Sequence, residues 1–225
     1  MVLRSGRGQM NPDNNSLERT YFIGGPPRVG KSILAYRFAT KINGHVVSTD
    51  AIRNAAKKSC KDKNSDLFIL NKEESLPTQD WLRVHIDSPK RVVEQQNRES
   101  IALWPSLVSF ANSFVEDDVK HVIEGVAILP SLVAEMKNRP QNVIFVGNTS
   151  KNHADSLLLH SKENPEKDWM ASMNYSKEKI IAMNSFINEM SDYFQREANK
   201  FGFSYFEMSD TDFDSYIDEI IKNIQ

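Results

Sequence analysis

Residues 25–32 read Gly-Pro-Pro-Arg-Val-Gly-Lys-Ser, an instance of G-x-x-x-x-G-K-[ST], and they lie between the apolar run Tyr21–Ile23 and a helical pattern over Lys31–Lys41. That strand-to-helix context is what gives the string a physical meaning. Gly25 and Gly30 let the backbone wrap tightly, so that the amides of Arg28 through Ile33 can converge on phosphate oxygens at a helix N-terminus. Pro26 and Pro27 carry no amide hydrogen, but they fall early in the loop. Lys31 is expected to place its ammonium on the β- and γ-oxygens of a bound nucleotide, and Ser32 to complete the coordination of Mg²⁺. The nucleotide-binding set expected from this segment is Gly25, Arg28, Val29, Gly30, Lys31, Ser32 and Ile33. Arg28 stands open between two roles, a phosphate contact or a solvated side chain.

Outward from the loop, short β-rich runs alternate with longer helical patterns, which predicts an α/β fold with a parallel sheet covered by helices. The apolar runs Tyr21–Ile23, His45–Ser48, His121–Glu124, Val143–Val146 and Phe203–Glu207 predict five strands. Helical patterns cover Ser88–Leu103 and Pro105–Glu116, with Ser88 placed to cap the first and a break expected at Trp104 and Pro105. A further pattern runs over Ser176–Lys200 with Gly202 as its stop, and Asp212–Ile224 reads as a final amphipathic helix. Residues 1–18 are polar and aperiodic and read as a disordered leader. Residues 19–225 read as one domain, with a helical insertion over 57–118 and a lid region over 148–175.

The 225 residues are 40% hydrophobic and carry a formal charge of -2. That balance argues against a nucleic-acid surface and against an anionic membrane surface. No apolar run approaches the roughly 20 residues of a bilayer-spanning helix, and the first twenty residues contain no apolar core of a signal peptide, so a cytoplasmic protein is expected. The lone cysteine, Cys60, lies among lysines that favour a thiolate, but a solvated loop thiol is the preferred reading.

Two strand ends supply carboxylates. In Ser48-Thr49-Asp50-Ala51-Ile52-Arg53, Asp50 and Arg53 are three residues apart at a helix start and share one face. Asp50 is a candidate base or holder of a metal-bound water, and Arg53 a candidate clamp for an anionic group on the acceptor. In His121-Val122-Ile123-Glu124-Gly125 an apolar strand ends in an acid, which makes Glu124 a candidate for orienting Mg²⁺ or acting as base. The candidate catalytic residues are therefore Lys31, Asp50 and Glu124, the substrate-binding pair Asp50 and Arg53, and the metal-holding pair Ser32 and Glu124.

In this order, GGPPRVGKS, STDAIR and VIEGVAILP resemble the P-loop small-molecule kinases, closest in motif order to the 2-phosphoglycerate kinase type, over Tyr21 to about Val146. The resemblance implies a P-loop NTPase fold of the nucleotide-kinase kind, with a five-stranded parallel sheet of order 2-3-1-4-5. It also implies ATP as donor, and a small-molecule acceptor near Asp50, Arg53 and Glu124, a phosphorylated sugar acid among the candidates. Two departures stand out. Ala127 occupies a position that is histidine in that family, and no arginine lies between Arg139 and Arg196, where the family's lid supplies arginines. Lys151, His153, His160, Lys162 and Lys167 are the charged or polar groups available there, with Arg28, Arg91 or Arg98 reaching in from elsewhere. Adenine contacts are expected around Ser209–Phe213. The competing class is a nucleotide-binding regulator or slow ATPase; a polynucleotide end kinase would need a basic channel that this charge does not supply.

Overall fold

The computed structural model describes residues 17–114, 118–140, 142–166, 168–208 and 211–224. Five strands, β1 (Thr20–Gly24), β2 (Gly44–Ser48), β3 (Lys120–Gly125), β4 (Asn142–Gly147) and β5 (Ser204–Glu207), form one all-parallel sheet of order β2-β3-β1-β4-β5. In β3 and β4 every residue after the first is buried, which requires cover on both faces of the sheet. The edge strands β2 and β5 are only partly buried. Register decides the location of the chemistry. Ser48 lies opposite Glu124, Gly24 opposite Gly125 and Phe145, so the ends of three strands and the start of the 25–32 loop share one rim.

Helix α1 (Lys31–Ile42) follows the loop and buries Leu34, Ala35, Phe38 and Ala39. Helix α2 (Thr49–Ser59) is capped by the Ser48 hydroxyl, which accepts from the amide of Asp50. A 3₁₀ turn (Asp66–Phe68), α3 (Ile69–Glu74) and α4 (Thr78–Asp87) lead into α5 (Pro89–Asn112). Cys60 ends α2, half-buried, with its thiol donating to the carbonyl of Asp62.

The break expected at Trp104 and Pro105 does not occur, and α5 runs through both. Leu103, Leu107 and Ala111, at most 1% exposed, lie on one face and continue the packing across the proline. Pro105 and Ile101, whose carbonyl loses its partner, are both exposed, so the missing hydrogen bond falls on the solvent side. The helix ends at Asn112, and residues 115–116 of the expected segment lie outside the described residues. Ser88 does not cap with its side chain either. It joins the C-terminus of α4 to the N-terminus of α5, at φ -140 and ψ 46, away from the extended geometry that aims a capping hydroxyl.

Beyond the sheet's centre lie α6 (Pro130–Ala134), α7 (His153–Glu163), α8 (Trp169–Ser172) and α9 (Lys177–Phe201). Helix α9 is capped by the Ser176 hydroxyl and stopped by Gly202 in the left-handed region. Helix α10 (Phe213–Asn223) closes the described chain. Leu17, assigned to the leader from sequence, is 1% exposed and belongs to the core. Among the described residues no helix is long and apolar enough to cross a membrane.

Candidate active site

The 25–32 loop leaves β1 between the backbones of β3 and β4. Gly25 packs against the carbonyl of Val146, and Val29 is buried. Gly30 sits at φ 88 as the N-cap of α1 with no side-chain cap hydrogen bond. A Cβ there would lie 2.5 Å from the Phe213 ring, so this position requires glycine twice, for conformation and for room. With no capping side chain, the first-turn amides of Lys31, Ser32 and Ile33 are left for an external acceptor. Ser32 and Ile33 are exposed at that turn.

The Lys31 side chain folds back over the loop, its Nζ donating to the carbonyl of Pro26 at 2.8 Å. Burial pushes its pKa below the ordinary lysine value, opposed by the negative charges of Glu124 and Asp50. Ser32 Oγ donates to Glu124 Oε1 at 3.2 Å, so the last residue of the loop motif and the acid of β3 meet as expected. Glu124 is 6% exposed. A buried ammonium, a helix N-terminus with unfilled amides and Arg28 together suit a polyanion. The Ser32 and Glu124 oxygens suit a hard cation that takes its remaining ligands from phosphates and water. Among the described residues no group of three or more His, Cys, Asp or Glu side chains forms a self-contained metal site.

On the other side of Glu124, a narrow cleft is lined by Thr49, Asp50, Arg53, Gln96, Glu99 and Ser100, with Leu103, Val126 and Ala127 as its apolar wall. Asp50 and Arg53 share the helix face expected of them, 3.5 Å apart, and Asp50 is exposed. The dominant partner of Arg53 was not anticipated. Glu99 of α5, 1% exposed, lies 3.4 Å from Arg53 Nη1 and 2.7 Å from Lys57 Nζ. The face of α5 turned to the cleft is that of Gln96, Glu99 and Ser100. Arg91 is exposed, and Arg98 pairs with Asp66 at 2.7 Å. Periodicity carried a usable signal, since Gln96 and Ser100 are one turn apart and both buried, but polar residues at those positions read as surface. A wider depression lined by Arg139, Val143, Phe201 and Phe203 lies at the opposite end of the sheet and contains none of the candidate residues.

Helices α7 and α8 reach over the loop. Arg28, at φ 66, pairs with Asp168 at 2.7 Å, with side chains 14% and 0% exposed. Asp168 also accepts from Ser161 Oγ at 2.6 Å and from the amide of Met170 at 2.8 Å. Burial raises the Asp168 carboxyl, but the bonds from Ser161 and Met170 and the charge of Arg28 outweigh it and hold the group below the usual carboxylate value. His153 Nε2 meets the carbonyl of Arg28 at 3.1 Å, while Nδ1 faces the Asn148 amide nitrogen at 3.1 Å. The amide donates, which leaves Nε2 as the protonated nitrogen. Lys151, His160 and Lys162 are exposed, and Lys167 lies outside the described residues. Of the expected adenine region, Ser209 and Asp210 are likewise outside, and Phe213 packs on Gly30.

No protein-family model matches the chain, and no curated protein matches it. Among solved structures, the crystal structure of an uncharacterized protein from Eubacterium ventriosum matches with a TM-score of 0.49 and 15% identity, covering 92% of this chain and 98% of that one. Function therefore has to be argued from this chain's own residues.

Proposed function

We propose that the protein is a P-loop small-molecule kinase that moves the γ-phosphate of ATP to a hydroxyl of a small acceptor. One observation carries the reading: the buried Lys31, the uncapped first turn of α1 and the Ser32–Glu124 pair converge at the end of β1. In that reading the amides of residues 31–33 and the Lys31 ammonium hold the terminal phosphates. Mg²⁺ belongs with Ser32 and Glu124, where it would neutralise phosphate charge. The acceptor meets the exposed Asp50 and the Arg53 guanidinium at the rim between α2 and α5, where Glu99 and Asp50 hold Arg53. As the bond from the acceptor oxygen to phosphorus forms, the bond from the γ-phosphorus to the bridging oxygen breaks and ADP departs with the electron pair. The hydroxyl proton passes to Asp50 or Glu124. Exposed Asp50 suits a base that exchanges its proton with solvent, and Glu124, engaged by Ser32, suits the metal side.

A second reading, a nucleotide-binding regulator or slow ATPase, is favoured by the absence of arginine from residues 148–175. The two separate in one assay. ADP release with Mg²⁺-ATP, screened across sugar acids, nucleosides and aminocyclitols, rises with the right acceptor in a kinase and vanishes in Lys31→Met. ATP binding with no acceptor response sinks the kinase reading.

A further inference from the structure

We propose that Arg28, carried by the loop itself, is the arginine that stabilises the transferred phosphoryl group, and that Asp168, the N-cap of α8, is the residue that positions it. The inference rests on the phosphotransfer reading and goes beyond it.

Phosphoryl transfer spreads negative charge over three oxygens of the migrating group, and a correctly placed arginine is worth far more there than a mobile cation. The other arginines near the site are committed elsewhere. Arg53 faces Glu99 and Asp50 in the cleft, Arg37 pairs with Asp214 on the outer side of α1, Arg98 pairs with Asp66, and Arg91 is exposed. Arg139 stacks over Phe203 at the far end of the sheet. Arg28 alone belongs to the phosphate-facing loop.

Three features of Arg28 point to a ligand. Its backbone occupies the left-handed region at φ 66, in a loop where glycine would be free of strain. Its side chain is 14% exposed and ion-paired with a carboxylate that is fully buried, so it does not sweep through solvent. Its Nε is buried with no hydrogen-bond partner among the described residues, a donor that the fold desolvates and leaves unfilled. A phosphoryl oxygen is the chemistry that fills an arginine donor at the mouth of such a loop.

Asp168 has the properties of a positioning residue. It takes one Arg28 nitrogen and is itself fixed by Ser161 and the Met170 amide, so one end of the guanidinium is pinned and the other nitrogens are not used by Asp168. His153 holds the same residue by its carbonyl, so α7 and α8 grip Arg28 at both backbone and side chain. The guanidinium supplies charge and hydrogen bonds and gives up no proton during the transfer.

The test uses the full chain with Arg28→Gly, Arg28→Lys, Asp168→Asn and the Arg28→Gly/Asp168→Asn double variant. Two quantities are measured: acceptor-dependent turnover, and the dissociation constants of Mg²⁺-ATP and Mg²⁺-ADP by calorimetry. Arg28→Gly relieves the backbone strain but strands the buried Asp168 carboxylate, and the double variant, which removes that charge as well, separates a loss of stability from a loss of catalysis. Arg28→Gly should lower kcat by about 10³-fold. The preference for ATP over ADP should fall about tenfold, the worth of one charge-assisted hydrogen bond. Arg28→Lys should recover only part of either loss, because lysine has no planar fork. Asp168→Asn, which keeps the α8 cap, should lower kcat about tenfold with little change in KM, and should have no further effect on the Arg28→Gly background. If Asp168 merely holds α8 in place, its effect on kcat multiplies with that of Arg28→Gly, and the positioning role falls. An Arg28→Gly protein with wild-type kcat and wild-type ATP preference overturns the proposal. Should nucleotide bind while no acceptor supports turnover, the phosphotransfer reading fails alone, and the ATP-to-ADP ratio still decides Arg28. No nucleotide binding at all overturns both.

Discussion

Replacing Lys57 by methionine is expected to destabilise the protein more than replacing Glu99, the residue it serves. Glu99 is 1% exposed and held by Lys57 at 2.7 Å and Arg53 at 3.4 Å. Lys57→Met keeps most of the aliphatic stem but leaves a buried carboxylate with only the longer contact, a cost of about 3 kcal/mol. At roughly 3 °C per kcal/mol for a chain of this size, Tm should fall by about 9 °C. Glu99→Gln instead removes the buried charge, and the two cations it abandons, 18% and 29% exposed, can turn toward water. That change should cost about 1 kcal/mol, or about 3 °C. The double variant should be more stable than Lys57→Met alone, because the stranded charge has gone. Urea unfolding of the four proteins at one pH measures this. A Glu99→Gln protein as unstable as Lys57→Met, or two effects that simply add, would refute the reasoning.

Gly125→Ala should fail to accumulate as folded protein or lose about 10 °C in Tm, because the new Cβ would lie 1.7 Å from Thr49 Oγ1 and 2.7 Å from Thr49 Cβ, at φ 153; thermal melts of the purified variant decide it. His85 stacks on Trp81 at 3.6 Å with Nδ1 donating to its carbonyl, and burial pushes its pKa below 6.5. The unfolded chain therefore takes up its proton first, so stability should fall as pH drops below 6.5, and His85→Phe should flatten that slope. Lys31 has the same sign higher up. Its pKa lies below 10.5, so the penalty of burying the charge is present at neutral pH and lifts as pH rises toward 10.5, and Lys31→Met should remove that component from the difference curve. Ser32→Ala and Glu124→Gln should each raise the Mg²⁺ concentration needed for half-maximal nucleotide binding, by about tenfold, and a titration at fixed ATP that leaves it unchanged would remove both from the metal site.

Much of the sheet was legible in the sequence because its signals are local. Buried parallel strands must be apolar along their length, and a helix that follows a glycine-capped turn must start where the glycine is. Thus the five runs, the 25–32 loop, the stop at Gly202 and the shared face of Asp50 and Arg53 could be read residue by residue. The meeting of Ser32 with Glu124, 92 positions apart, was anticipated from chemistry. It is realised by the register that sets β1 beside β3.

Other features depend on packing between distant segments, and no local rule contains them. Pro105 has the chemistry of a helix breaker, yet Leu103 and Leu107 bury on either side of it and the helix continues, because the gain from burial exceeds the loss of one solvent-side hydrogen bond. Which face of α5 meets the cleft was set by that same packing, so Glu99 came to Arg53 across 46 positions while Arg98, its neighbour in sequence, turned to Asp66. Arg28 was ambiguous for the same reason. A side chain in a loop has no orientation until something reaches over to hold it, and here Asp168, 140 residues away, does so.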